Sequence, residues 1–132
     1  MTSTVRALIP AGHSKPIGRY SPGVSVDGLV FVSGQVATDA DGAVLHPGDA
    51  AGQTEVVFER LRQVLAEAGG ILADLVSVIV YVVDVKRDFQ AVSGVRNRVL
   101  AEPGPASTLV EVSRLAEDGC LVEISGVAVV QG

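Results

Sequence analysis

An α+β domain with one mixed sheet and two helices on one of its faces is the architecture this chain predicts, from three observations. The apolar period changes along the sequence in the order strands, helix, strand, helix, strands. The 132 residues suit one compact domain, 1–132, and a 48% hydrophobic content is enough to build its core. Val and Leu populate both faces of the strand-like runs, so the face away from the helices needs a cover. Self-association is the simplest one.

The elements follow in order. Gly28-Leu29-Val30-Phe31-Val32-Ser33-Gly34-Gln35 reads as a buried strand, paired through an Asp27-Gly28 hairpin turn with Gly23-Val24-Ser25-Val26. Asp41-Gly42 is a second turn, and Ala43-Val44-Leu45 is a short edge piece. From Asp49 the spacing becomes helical. Val57, Leu61, Val64, Leu65 and Ala68 form one face, Glu55, Glu59, Arg62 and Glu67 the other, and Gly69-Gly70 ends the helix. Leu75 to Val83 is apolar at both odd and even positions, as in a central strand covered on both sides. Lys86 to Leu100 makes the second helix, with Phe89, Val92, Val95, Val99 and Leu100 apolar. Asp88 lies near its start and Arg96 and Arg98 near its end, as the helix dipole prefers. Pro103-Gly104-Pro105 breaks it, and strands Ser107–Ser113 and Leu121–Val130 complete the domain.

Composition removes several function classes. A net charge of −5, with Lys and Arg scattered, opposes nucleic acid as the main partner, because phosphate binding needs clustered cations. Cys120 is alone, so no intrachain disulfide forms, and it lacks a nearby His for nucleophilic catalysis. His13 and His46 stand apart, with no second ligand at metal spacing. No phosphate-binding Gly loop or serine-hydrolase elbow is present. Met1 to Arg6 lacks the apolar stretch of a signal peptide, and Leu75–Val85 is shorter than the roughly 20 residues of a membrane span. The expectation is a soluble cytoplasmic protein.

The run Pro105-Ala106-Ser107-Thr108-Leu109-Val110-Glu111-Val112-Ser113-Arg114-Leu115, followed by Leu121-Val122-Glu123-Ile124-Ser125-Gly126-Val127-Ala128-Val129, resembles the signature of the Rid family. These are the reactive-intermediate deaminases, once catalogued as L-PSP endoribonucleases. Pro16-Ile17-Gly18-Arg19-Tyr20-Ser21-Pro22-Gly23 is similar to the family's Gly-x-Tyr loop. Leu29 to Val36 is similar to its strand ending in Ser-Gly-Gln, and Ala68-Gly69-Gly70 to Tyr81-Val82 to its helix-to-strand connection. The resemblance spans nearly the whole chain. It implies a chorismate-mutase-like fold, a homotrimer with a barrel-like centre, and small-molecule sites in the clefts between subunits. It implies no metal and no organic cofactor.

The implied chemistry is hydrolysis of an imine or enamine to a ketone and ammonia. Such a substrate needs a cation for its carboxylate, an acceptor for the attacking water and donors for developing charge. Carried onto this sequence, the water-orienting glutamate falls on Glu123 and the pocket tyrosine on Tyr20, with backbone donors at Ser33 and Gly34. The arginine that grips the carboxylate in deaminating members falls on Ser107, and the family cysteine position on Leu109. Arg19 is either a compensating cation or a solvated loop residue, and Arg114 matches a structural Arg-Leu pair. Glu123 reads as a pocket group or as one member of a buried ion pair, and Glu111 as the more structural carboxylate. Three functions stay open: an imine or enamine deaminase of altered substrate preference, a non-catalytic trimer binding small ligands, and, opposed by the acidic charge, an endoribonuclease.

Overall fold

A computed structural model describes residues 4–13, 16 and 18–131; Ile17 of the Gly-x-Tyr loop, with 1–3, 14, 15 and 132, lies outside the described residues. The elements are β1 (Arg6–Leu8), β2 (Gly23–Val26), β3 (Leu29–Gln35), α1 (Ala50–Glu67), β4 (Leu75–Val82), α2 (Val85–Val99), β5 (Ala106–Glu111) and β6 (Val122–Val129). They make the α+β arrangement that the sequence predicts. All six strands share one mixed sheet in the order β1-β2-β3-β6-β4-β5. Only β4 and β5 run parallel, with α2 as their crossover, while every other neighbouring pair is antiparallel. The last strand therefore inserts between β3 and β4, which α1 joins. The three-residue β1 goes unnoticed in the sequence, since so short a run has no period to detect.

Local chemistry explains the boundaries. Asp27 and Gly28 both take positive φ, 52° and 83°, the pattern of a two-residue hairpin turn that matches strand twist. The Ala43–Leu45 piece forms only a single bridge, Thr38 to Val44. Asp49 starts α1 by accepting the Gly52 N–H at 3.0 Å, and Asp84 starts α2 by accepting that of Arg87 at 3.0 Å.

One face of the sheet packs on the helices. Val30, Val32, Val78, Val80, Val82, Val122 and Ile124 meet Val57, Phe58, Leu61, Val64 and Leu65 there, all buried. Each such side chain contributes roughly 1.5–3 kcal/mol relative to exposure. Phe89, expected in this core, is 45% exposed instead. The buried stripe of α2 runs through Asp88, Val92 and Val95, and Phe89 lies about 100° round the helix from Asp88.

The opposite face is open in the protomer. Leu29, Phe31, Ile79, Val110 and Val129 are each 37–42% exposed on it. The central strand β4 is thus covered on one face only within a single chain. Among the described residues no helix is long and apolar enough to cross a membrane.

Candidate functional site

Strand alternation decides where the carboxylate of Glu123 goes. Val122 and Ile124 are buried beneath the helices, so Glu123 projects from the open face, opposite Tyr81 on β4. There it lies over Gly34. A Cβ added to Gly34 would collide with Glu123 Oε2 and would sit 2.7 Å from its Cδ. Any side chain at position 34 would displace the carboxylate from this place. Gly34 falls in a bulge of β3, between the Val32–Gly126 and Gln35–Ile124 pairs, and has no register partner on β6.

The loop carrying Tyr20 is fixed to the same bulge. Ser33 donates its backbone N–H to Pro22 O at 2.9 Å and its hydroxyl to Ser21 O at 2.6 Å. Gln35 Nε2 donates to Ser33 O at 3.0 Å. Both donors of Ser33 are therefore engaged inside the chain, holding the loop in place, and Gly34 is the member of the pair beside Glu123.

Tyr20, Gly34 and Glu123 together line a cleft of about 460 Å³ with Asp41 and Glu117, and among the described residues no Lys or Arg lines it. Tyr20, Ser33 and Gly34 also border a smaller recess of about 90 Å³ beside His13 and Arg60. Burial pushes the Glu123 carboxyl above its ordinary range. Among the described residues it has neither a hydrogen bond nor an ion pair, so within the protomer it is not a structural ion-pair member. Glu111 is engaged structurally, accepting the Val85 N–H at 3.0 Å where α2 begins.

Gln53, which with Thr54 before Leu61 belongs to the stretch resembling the family but to which the sequence assigns no role, is a positioning residue. It is fully buried on α1, donates to Gly119 O at 2.9 Å and accepts the Leu121 N–H at 2.8 Å. This pins the chain two residues before Glu123. Its signal was a glutamine among the apolar residues of a helix, at a position where burial demands a partner.

Ser107 is elsewhere. It pairs with Val78 in the parallel β4–β5 ladder, and paired residues share a face, so Ser107 points to the helix side. It lines a groove of about 420 Å³ with Arg96, Asn97, Leu100, Gly104 and Pro105, at the sheet edge remote from the Tyr20 loop. Within one chain, Glu123 and Ser107 therefore occupy opposite faces of the sheet and cannot hold the same molecule. Arg19 is exposed and lines neither the Glu123 cleft nor the recess beside it.

The remaining candidates are occupied or sealed. His13 Nε2 lies 2.7 Å from Gln63 Oε1, and burial lowers its pKa. His46 stands 3.9 Å from Asp49. Cys120 is buried, which raises its thiol pKa and makes it a poor nucleophile. No group of three or more His, Cys, Asp or Glu side chains suited to a metal occurs among the described residues.

Known proteins share this architecture and sequence. Residues 12–130 match the family model described as Endoribonuclease L-PSP. A RutC family protein of Pyrococcus abyssi is 40% identical over 114 residues, covering 86% of this chain and 88% of its own. The 3-aminoacrylate deaminase RutC of Acinetobacter baylyi is 35% identical over 121 residues, covering 92% and 94%. The crystal structure of RidA from an Antarctic Psychrobacter superposes with a TM-score of 0.84 at 31% identity, covering 95% of this chain and all of that one. With a family model matching nearly its whole length, the chain belongs to the Rid family, the endoribonuclease L-PSP family of the RutC and RidA proteins.

Proposed function

We propose that this protein hydrolyses the C=N bond of imine or enamine intermediates of small metabolites, releasing ammonia. The observation carrying this reading is the half-buried Glu123 carboxylate, unpaired among the described residues, laid over Gly34 beside Tyr20. A carboxylate whose pKa is raised toward neutrality is suited to take and return a proton at working pH. In the proposed cycle Glu123 accepts a proton from water as the water oxygen bonds to the imine carbon. That proton goes to nitrogen, giving a carbinolamine. The carbinolamine hydroxyl then gives up its own proton, relayed by Glu123 to the nitrogen, so the C–N bond breaks with ammonia as the leaving group and the carbonyl forms. The Tyr20 hydroxyl and the Gly34 N–H are the donors for the developing charge. The likeness to a relative named for 3-aminoacrylate deamination supports the same reaction class.

The catalytic unit in this proposal is a homotrimer with sites between subunits, in which the open apolar face of each sheet is covered. Two features favour it. Leu29, Phe31, Ile79, Val110 and Val129 need a cover, and the Ser107 groove and the Glu123 cleft can meet only across two chains. Ser107 in place of a guanidinium implies a substrate preference different from that of members with a strand arginine. The same uncharged serine favours a second reading, a trimer that binds small ligands without turnover. The acidic lining of the Glu123 cleft opposes RNA as substrate.

A coupled assay following 2-iminopropanoate disappearance tests the reading. Hydrolysis above buffer is expected, with Glu123→Gln lowering kcat by about 10²–10⁴. Wild-type rates equal to buffer would leave the binding reading in its place.

A further inference from the structure

Among the arginines, most are spent within the protein. Arg62 pairs with Glu59, Arg87 with Asp84 and Asp88, and Arg98 with Glu55 at 2.6 Å, while Arg60 donates to Thr38 O. Arg96 differs. Its Nε donates to Asn97 Oδ1 at 3.3 Å, and among the described residues its two Nη groups have no acceptor. The residue is half-buried in the last turn of α2 and lines the groove that Ser107 enters from β5. Leu100 and Pro105 give that groove an apolar wall, and among the described residues Glu102 is the one carboxylate lining it.

We propose that Arg96, with the Ser107 hydroxyl, forms a binding site for a small carboxylate, so that the substrate's anchoring cation comes from helix α2 instead of strand β5. The geometry suits the task. A guanidinium with both Nη groups free offers the planar fork that matches a carboxylate in two-point fashion, and a serine hydroxyl adds a third donor. Asn97 holds the Nε end, which orients the fork and limits the entropy lost on binding. The placement also answers an electrostatic need. Among the described residues the Glu123 cleft is lined by Asp41, Glu117 and Glu123 with no Lys or Arg, so a cation brought from elsewhere would favour an anionic substrate there. The groove at the far edge of the sheet supplies the missing charge from a second copy of the chain.

Because the guanidinium arrives from the helix, its charge stands in a different place from one borne on position 107. The substrate preference then shifts in shape and length rather than in charge. This proposal rests on the hydrolytic reading for its substrate, but the anchor is testable without turnover.

Pyruvate, a small carboxylate with the carbon frame of 2-iminopropanoate, serves as the probe in a calorimetric or NMR titration of the full-length protein. Arg96→Ala should weaken pyruvate binding roughly thirtyfold or more, while Ser107→Arg placed in the Arg96→Ala background should recover much of it. Arg96→Lys should fall between, since it keeps the charge and loses the fork. In the imine assay Arg96→Ala should raise KM by a similar factor and change kcat little, the reverse of the Glu123→Gln pattern. Far-UV circular dichroism checks that α2 is intact in each variant. Wild-type protein that fails to bind pyruvate at millimolar concentration, or an Arg96→Ala protein that binds it as tightly as wild type, overturns the proposal. Arg96-dependent binding without imine turnover would instead sustain the anchor and remove the hydrolytic reading.

Discussion

The two faces of the sheet are built from similar apolar residues and have opposite fates. On the helix face, Val80 and Ile124 are buried to within 1%. On the open face, Ile79 and Val129 keep 37% and 38% of their surface exposed. The polar chemistry is divided in the same way. The helix face ends at its edge in a groove where Arg96 stands with Ser107 and Glu102, whereas the open face carries Glu123 in an acidic cleft. The contrast teaches that a folded protomer can complete its core while its polar groups stay apart on two faces. In the proposed trimer, closing the open face and bringing those groups together would be a single event.

The comparison can be broken most forcefully on the helix side. Phe58→Ala empties a fully enclosed position and should lower unfolding free energy by about 3–5 kcal/mol in a denaturant titration. A loss below about 1 kcal/mol would mean the helix layer does not seal the core. The open face should respond differently. Ile79→Asp should leave helix content unchanged but weaken self-association by about 2 kcal/mol or more per interface, read as a fall in sedimenting mass. Identical mass for variant and wild type across concentrations would make the open face a free surface.

A smaller effect sharpens the contrast through pH. Burial raises the Glu123 pKa above the ordinary value of 4.5, so the folded state holds its proton more tightly than the unfolded chain does. The associated stability is fully present below the ordinary carboxylate range and is lost as pH rises through the raised folded value. Glu123→Gln should therefore gain stability over wild type as pH rises from acid to neutral, with the two converging at low pH. A constant offset at every pH would show the carboxylate to be solvated. The smallest change belongs to the frame shared by both faces. Asp49→Ala removes the α1 cap and should cost about 1 kcal/mol, without altering kcat, in parallel melting and activity measurements.

Much of this was legible before any coordinates. The Asp27-Gly28 turn and the α1 stripe are local matters, set by positive φ and by 3.6-residue spacing. Glu123, Tyr20 and Gly34 were picked out by resemblance, and the cleft does bring them together. Other readings failed for physical reasons. Phe89 looked like core because apolar spacing does not say which of two overlapping stripes is buried. Ser33 looked like a donor to ligand, but its hydroxyl and N–H are used to fasten the Tyr20 loop. Arg96 does sit in the last turn of α2, as the dipole reading has it, but its approach to Ser107 was not legible because it joins two elements across a proline-containing break.

By itself, then, the sequence determined the kinds of element, most of their boundaries and the family to which the chain belongs. Tertiary structure alone decided that β6 lies between β3 and β4, that Glu123 and Ser107 face opposite sides, and that Arg96 shares a groove with Ser107. The reason is the range of the forces involved. Helix and strand periods arise between residues a few positions apart, whereas strand order and facing are settled by burial and ladder pairing between segments up to about a hundred residues apart, as with Leu29 and Val129.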